Sequence, residues 1–222
     1  MSHSFGGIWT HIKLHTLEQY LKAYSDVFKY QNWCHLIYID AFAGTGECNT
    51  KDGLIDGSAK IALNVPRFDE FIFIELDKEK IEHLEKLKQN YPNKKITIIN
   101  GDCNNEIKNI INKYNWKATR ALSFLDPYKM ELSFSTLKSI SLTKSIDVWY
   151  LFPLSQATRA LRKDGSILKS DKFKLNNLFG DLEWKNDFYK KDSQINMFKE
   201  ERLVRTDQNH ICYNFRRILK KH

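Results

Sequence analysis

The run His35-Leu36-Ile37-Tyr38-Ile39-Asp40-Ala41-Phe42-Ala43-Gly44-Thr45-Gly46 constrains this chain more than any other segment. A strand-length apolar stretch ends in an acid and breaks at once into a glycine pair. Such a run, bounded by turn residues, reads as a strand buried on both faces. Its C-terminal end feeds a backbone-exposed turn, which is where open α/β sheets place an adenine-containing ligand. The segment therefore predicts a nucleotide-like pocket near the start of the chain.

The flanking pattern extends the strand to a sheet. Trp9, Ile12, Leu17, Tyr20, Leu21, Tyr24 and Phe28 fall near three/four spacing, which predicts an amphipathic helix over 8–29 before a strand at 36–41. Residues 57–64 open a helix behind Gly57, and Pro66 stops it. Further strands fall at 71–76, 96–99, 121–126 and 146–152. Between them lie helices carrying Ile81, Leu84 and Leu87, then Ile107, Ile110, Ile111 and Tyr114, then residues 132–140. Near-continuous apolar strands alternating with helices predict an α/β, Rossmann-like fold, with a mostly parallel sheet and helices on both faces. Trp149 and Tyr150 read as core. Past Pro153 the periodicity weakens: 175–188 is mixed, 193–202 reads as a helix and 211–215 as a strand.

At 222 residues one domain is expected, with a core over about 9–153 and a basic part over 154–222. Residues 1–154 carry 19 Lys+Arg against 18 Asp+Glu, whereas 155–222 carry 16 against 9. A basic last third suits a polyanion, because Lys and Arg displace the counterions of nucleic-acid phosphates. A solvated Lys-rich surface would have the same composition. No stretch reaches the ~20 apolar residues of a membrane span, and residues 1–7 lack the regions of a secretory leader, so a cytoplasmic protein is expected. Cys34, Cys48, Cys103 and Cys212 form no CxxC pair and stand at no metal-ligand spacing with a histidine, so neither a metal nor a disulfide framework is signalled.

Asp40, Glu75 with Asp77, Asp102 and Asp126 close successive strands. Parallel strands align those ends on one edge, so the carboxylates converge on one crevice. Each is also a natural helix N-cap, Asp77 above all. The glycines narrow the ligand. A dinucleotide fingerprint needs a third glycine where Asn49 stands, and the ribose acid Glu75 comes 29 positions past Gly46 instead of about 20. No Gly-Lys-Ser/Thr follows, so a phosphate loop fails as well. S-adenosylmethionine lacks a pyrophosphate and fits this turn. Gly44 and Gly46 let the backbone approach its amino-acid end, Glu75 suits the ribose hydroxyls, Asp102 in Gly101-Asp102-Cys103-Asn104 suits the adenine amine, and the sulfonium favours an acidic crevice.

Phe124-Leu125-Asp126-Pro127-Tyr128 is the second constellation. An Asp-Pro-aromatic turn at this strand end can accept from an exocyclic amine through Asp126 and stack Tyr128 on the base, orienting the nitrogen for in-line methyl transfer. An Asp-Pro turn with a core tyrosine is the plainer alternative. His11 and His15 read as surface or packing residues, and Cys103 as a small buried one.

Trp9-Thr10-His11-Ile12-Lys13, Tyr38 to Gly46, Asp56-Gly57-Ser58-Ala59, Phe73 to Asp77, Gly101 to Asn104 and Phe124 to Tyr128 together resemble the three-Cys-motif partner family (TcmP), in order from about residue 9 to Pro153. The same blocks resemble, more distantly, the large-subunit ribosomal RNA adenine-N6 methyltransferases. The resemblance implies an S-adenosylmethionine-dependent methyltransferase fold and a separate partner protein that carries the three cysteines. It places Lys13, Asp40, Ala41, Phe42, Gly44, Gly46, Ser58, Glu75, Leu76, Asp77, Asp102, Cys103, Asn104 and Asp126 around the cofactor, Lys13 near its carboxylate end. Asp126, Pro127 and Tyr128 become the catalytic turn, and base enzymes of this kind extrude their target.

The expected activity is methyl transfer to a base amine in RNA or DNA. Amine methyltransferases usually have a second proline before the aromatic residue, whereas Tyr128 follows Pro127 directly. That departure supports the alternative, a non-catalytic subunit that keeps the fold and works with a three-Cys-motif protein.

Overall fold

The computed structural model describes residues 7–51, 53–180, 184–191 and 203–220. They fall into two units, 1–126 with 143–150 and 127–142 with 151–222.

In the first unit, α1 (Ile8–Val27) buries Leu14, Leu17, Leu21 and Ser25 and leaves Trp9, Ile12 and Tyr20 exposed. The expected apolar face is thus corrected. The buried stripe is three leucines and Ser25; at 100° per residue Tyr20 stands roughly a quarter turn from its centre, Trp9 farther round and Ile12 almost opposite. Tyr24 anchors the helix, its hydroxyl donating to the Ala121 carbonyl at 3.2 Å and to Asp147 at 2.8 Å.

After β1 (His35–Asp40) comes a hairpin that the sequence did not announce, β2 (Glu47–Thr50) against β3 (Gly53–Asp56), then α2 (Ser58–Leu63). The alternation continues with β4 (Glu70–Glu75), α3 (Lys78–Gln89), β5 (Lys95–Asn100), α4 (Cys103–Lys113), β6 (Thr119–Leu125), α5 (Phe134–Thr143) and β7 (Ile146–Tyr150). The sheet order is β5-β4-β1-β6-β7, with every pairing parallel. This is the α/β, Rossmann-like arrangement read from the sequence, with the strand order reversing at β1. Central strands β1 and β4 are buried along nearly their whole length, but edge strand β7 exposes Asp147 and Val148. Trp149 and Tyr150 are therefore half-buried instead of core, because an edge strand is covered less.

The second unit holds α5 up to Leu142, α6 (Leu154–Ala160), α7 (Lys169–Phe179), α8 (Trp184–Phe188), the antiparallel pair β8 (Tyr189–Lys191) and β9 (Leu203–Arg205), and α9 (Gln208–Lys220). Its core is aromatic: the Phe179 ring lies 4.6 Å from Phe188, 5.9 Å from Trp184 and 6.1 Å from Phe215. Residues 211–215, expected as a strand, belong to α9, and the expected helix at 193–202 lies outside the described residues. Among the described residues no helix is long and apolar enough to cross a membrane.

Candidate functional site

Sheet register brings three acids of the first unit together. Asp40 pairs with Phe73 on one side and Phe124 on the other, and Glu75 and Asp126 each stand two residues beyond those partners. Both therefore rise past Asp40 at the C-terminal edge where the strand order reverses, the ligand position of such sheets.

Asp40 is fully buried. It accepts from the Phe42 amide at 3.3 Å and the Tyr38 hydroxyl at 3.3 Å, and Ser58 at the start of α2 also bonds to it. Burial outweighs these bonds and pushes its carboxyl up to about 6, with the charge of Asp126 adding to the rise. Ala41 is committed to the sheet, its amide donating to the Phe124 carbonyl at 3.1 Å.

The turn needs its glycines. Gly44 and Gly46 have φ of +63° and +83°, a region that side chains rarely enter. A Cβ on Gly46 would meet Leu87 Cδ2 at 2.6 Å, whereas one on Gly44 would meet nothing within 4 Å. The backbone at Gly44 thus faces open space, which fits the close approach of a ligand. The Gly44 amide donates to Glu75 Oε2 at 2.9 Å, tying the turn to β4.

Glu75 is nearly buried, and its Oε1 accepts from the Leu76 and Asp77 amides, each at 3.0 Å. A carboxylate offers about four acceptor directions, so the three amide donors leave one unfilled, with Lys80 Nζ 3.7 Å from Oε1. Leu76 stands exposed beside it and presents an apolar surface.

Asp77 and Asp102 cap helices. Asp77 accepts from the Glu79 amide at 3.0 Å at the start of α3, and Asp102 from the Asn104 and Asn105 amides at 3.0 and 3.2 Å at the start of α4. Cys103 is buried behind that cap.

Asp126 is met by Lys13, whose Nζ donates to Oδ2 at 2.5 Å, with both side chains somewhat under a third exposed. Pro127 and Tyr128 fall in the second unit, where Tyr128 is 62% exposed with Lys129 Nζ 5.2 Å from its ring centre. One neighbour escaped sequence reasoning. Cys48 on β2 lies close enough to Lys13, Asp126 and Asp40 to feel their charges, and burial pushes its thiol up. No motif marks it, because it arrives through the unannounced hairpin. Among the described residues no cluster of His, Cys, Asp or Glu could hold a metal.

Neither family models nor curated proteins match this sequence. Among solved structures, it is similar to protein LPL1258 of Legionella pneumophila, from the family DUF519, with 17% identity and a TM-score of 0.50 over 79% of this chain and 75% of that one. It is also similar to YhhF of Escherichia coli, whose assignment as a methyltransferase is itself provisional, with 15% identity and a TM-score of 0.38 over 60% and 63% of the two chains. At 17% identity the likeness to LPL1258 bears on the fold alone.

Proposed function

We propose that this chain binds S-adenosylmethionine and transfers its methyl group to an exocyclic base amine of RNA or DNA. The observation that carries this reading is the register that sets Glu75 and Asp126 each two residues beyond the partners of Asp40, with Asp126 already accepting a hydrogen bond from a nitrogen, that of Lys13.

The surroundings suit the cofactor. Gly44 admits it to the backbone, Glu75 accepts from its ribose, Leu76 lies against its adenine, and buried Asp40 with Ser58 holds the turn in shape. When bound, S-adenosylmethionine supplies a sulfonium methyl whose C–S bond breaks as the C–N bond forms, with the bonding electrons passing to sulfur. Asp126 accepts an N–H of the target amine, aims its lone pair at that methyl, and can take up the proton released. Such fixing of two reactants lowers the barrier chiefly through proximity and orientation.

Calorimetric titration with S-adenosylmethionine tests the cofactor half: no binding by the folded protein sinks it. Labelled methyl incorporation into total RNA and DNA tests the rest, with Asp126→Ala expected to retain cofactor affinity and lose transfer. The second reading, a non-catalytic subunit working with a three-Cys-motif protein, is favoured by Lys13 already occupying Asp126. Cofactor binding without methyl incorporation, together with copurification of such a protein, would select it.

A further inference from the structure

The chain's charge is divided between its units. The first carries 17 Lys+Arg against 17 Asp+Glu and the second 18 against 10, so the whole excess of +8 lies in the second. Two helices there present the same combination. On α7, Phe173 is 67% exposed beside exposed Lys169, Lys172 and Lys174, while Leu175, Leu178 and Phe179 face the core. On α9, Tyr213 is 65% exposed with exposed Arg216 and Arg217 three and four positions on, while Ile211, Asn214, Phe215 and Ile218 face inward. Between residues 208 and 220 there is no acid at all, and the one acid of α7, Asp171, lies on the side opposite Phe173 at 100° per residue.

We propose that the second unit grips single-stranded nucleic acid, with Phe173 and Tyr213 each stacking a base and the neighbouring Lys and Arg neutralising phosphates. A solvated basic face needs no exposed aromatic ring. An exposed ring among cations is the combination that single-strand binders use, because every base has a stacking face and every nucleotide a phosphate. Arg217 already pairs with Asp187, which leaves Arg216 as the arginine of α9 assigned to a phosphate. The proposal rests on the reading of a base amine as target, and it adds where the strand is held.

The test is fluorescence anisotropy of the full chain with a labelled single strand of about 12 nucleotides, near the length that such sites cover, as RNA and as DNA, across roughly 50 to 200 mM salt. Binding of either strand should weaken with salt at a log–log slope of about −0.7 per phosphate contact. Phe173→Ala and Tyr213→Ala should each weaken it roughly 5- to 100-fold without changing the slope, while Phe173→Tyr and Tyr213→Phe restore it. Lys172→Gln and Arg216→Gln should each make the slope shallower by about 0.7. Affinity indifferent to both aromatic truncations overturns the proposal, as does equal binding of a duplex of the same sequence. Binding to vesicles containing phosphatidylserine, with no binding to either strand, also overturns it. Strand binding without any methyl transfer would refute the proposed activity and leave the grip standing, whereas methyl transfer to a base without these aromatic effects would do the reverse.

Discussion

Lys13 Nζ stands 2.5 Å from Asp126 Oδ2 and joins the first helix to the end of β6, 113 residues later in the chain. On the proposed activity the ammonium occupies the place where the substrate amine would donate, and substrate would have to displace it. Lys13→Met should therefore lower KM for the nucleic acid several-fold with kcat little changed. A pair this exposed contributes at most about 1 kcal/mol, so the melting temperature should barely move. Asp126→Asn keeps the shape but replaces one acceptor oxygen with a donor, and should lower kcat about 100-fold through misplacement of the amine. A Lys13→Met enzyme with unchanged KM would show that the ammonium does not compete.

Gly44 and Gly46 look alike in sequence, and their surroundings separate them. Gly46→Ala places a methyl 2.6 Å from Leu87 Cδ2 on a left-handed backbone, so strain and overpacking should together cost about 2–4 kcal/mol. Gly44→Ala has the strain without the clash and should cost about 1 kcal/mol, yet its methyl enters the space proposed for the cofactor. Urea unfolding should rank Gly46→Ala well below Gly44→Ala, and calorimetry should show S-adenosylmethionine binding lost in Gly44→Ala. Undiminished binding there would move the cofactor away from this turn.

Most of the first unit was legible because a parallel sheet buries its central strands on both faces, and burial writes continuous apolar runs such as Leu36 to Ile39 and Phe71 to Ile74. The hairpin of β2 and β3 was not, since each strand is four residues long, and outward-facing Asn49 and Leu54 carry no alternation. Helix α9 was misread for a different reason. Its stripe of Ile211, Asn214, Phe215 and Ile218 has helical period, but buried Asn214, which donates to the Asp187 carbonyl at 2.6 Å, puts an amide where an apolar residue would show it. For the site, the acids were visible as strand endings. The pairing of Lys13 with Asp126 was not, because no spacing rule links residues so far apart.

Glu75 holds the turn through three backbone donors. In Glu75→Gln one oxygen becomes an amide NH2 and faces either Gly44 or the Leu76 and Asp77 amides with donor against donor. A buried N–H left unsatisfied costs about 1–3 kcal/mol. Denaturant midpoints should fall accordingly, with S-adenosylmethionine affinity falling too if, as proposed, the ribose shares this carboxylate with the turn. Lost stability with unaltered affinity would leave Glu75 a structural residue only.

Asp40 gives the fold a pH dependence whose sign is set by burial. Its carboxyl binds a proton more tightly in the folded chain, at about 6, than in the unfolded chain, near 3.9. The stabilisation is complete below pH ~4 and is lost as pH rises through about 6, a change of roughly 2–3 kcal/mol at 1.36 kcal/mol per unit. Asp40→Asn cannot ionise, and its amide oxygen can still accept from the Phe42 amide while its NH2 faces the Tyr38 and Ser58 hydroxyl oxygens. Urea midpoints should therefore nearly coincide for the two proteins at about pH 4 and diverge in favour of Asp40→Asn by about pH 7.5. A stability difference that stays constant across that range would mean that Asp40 does not change its charge between those values.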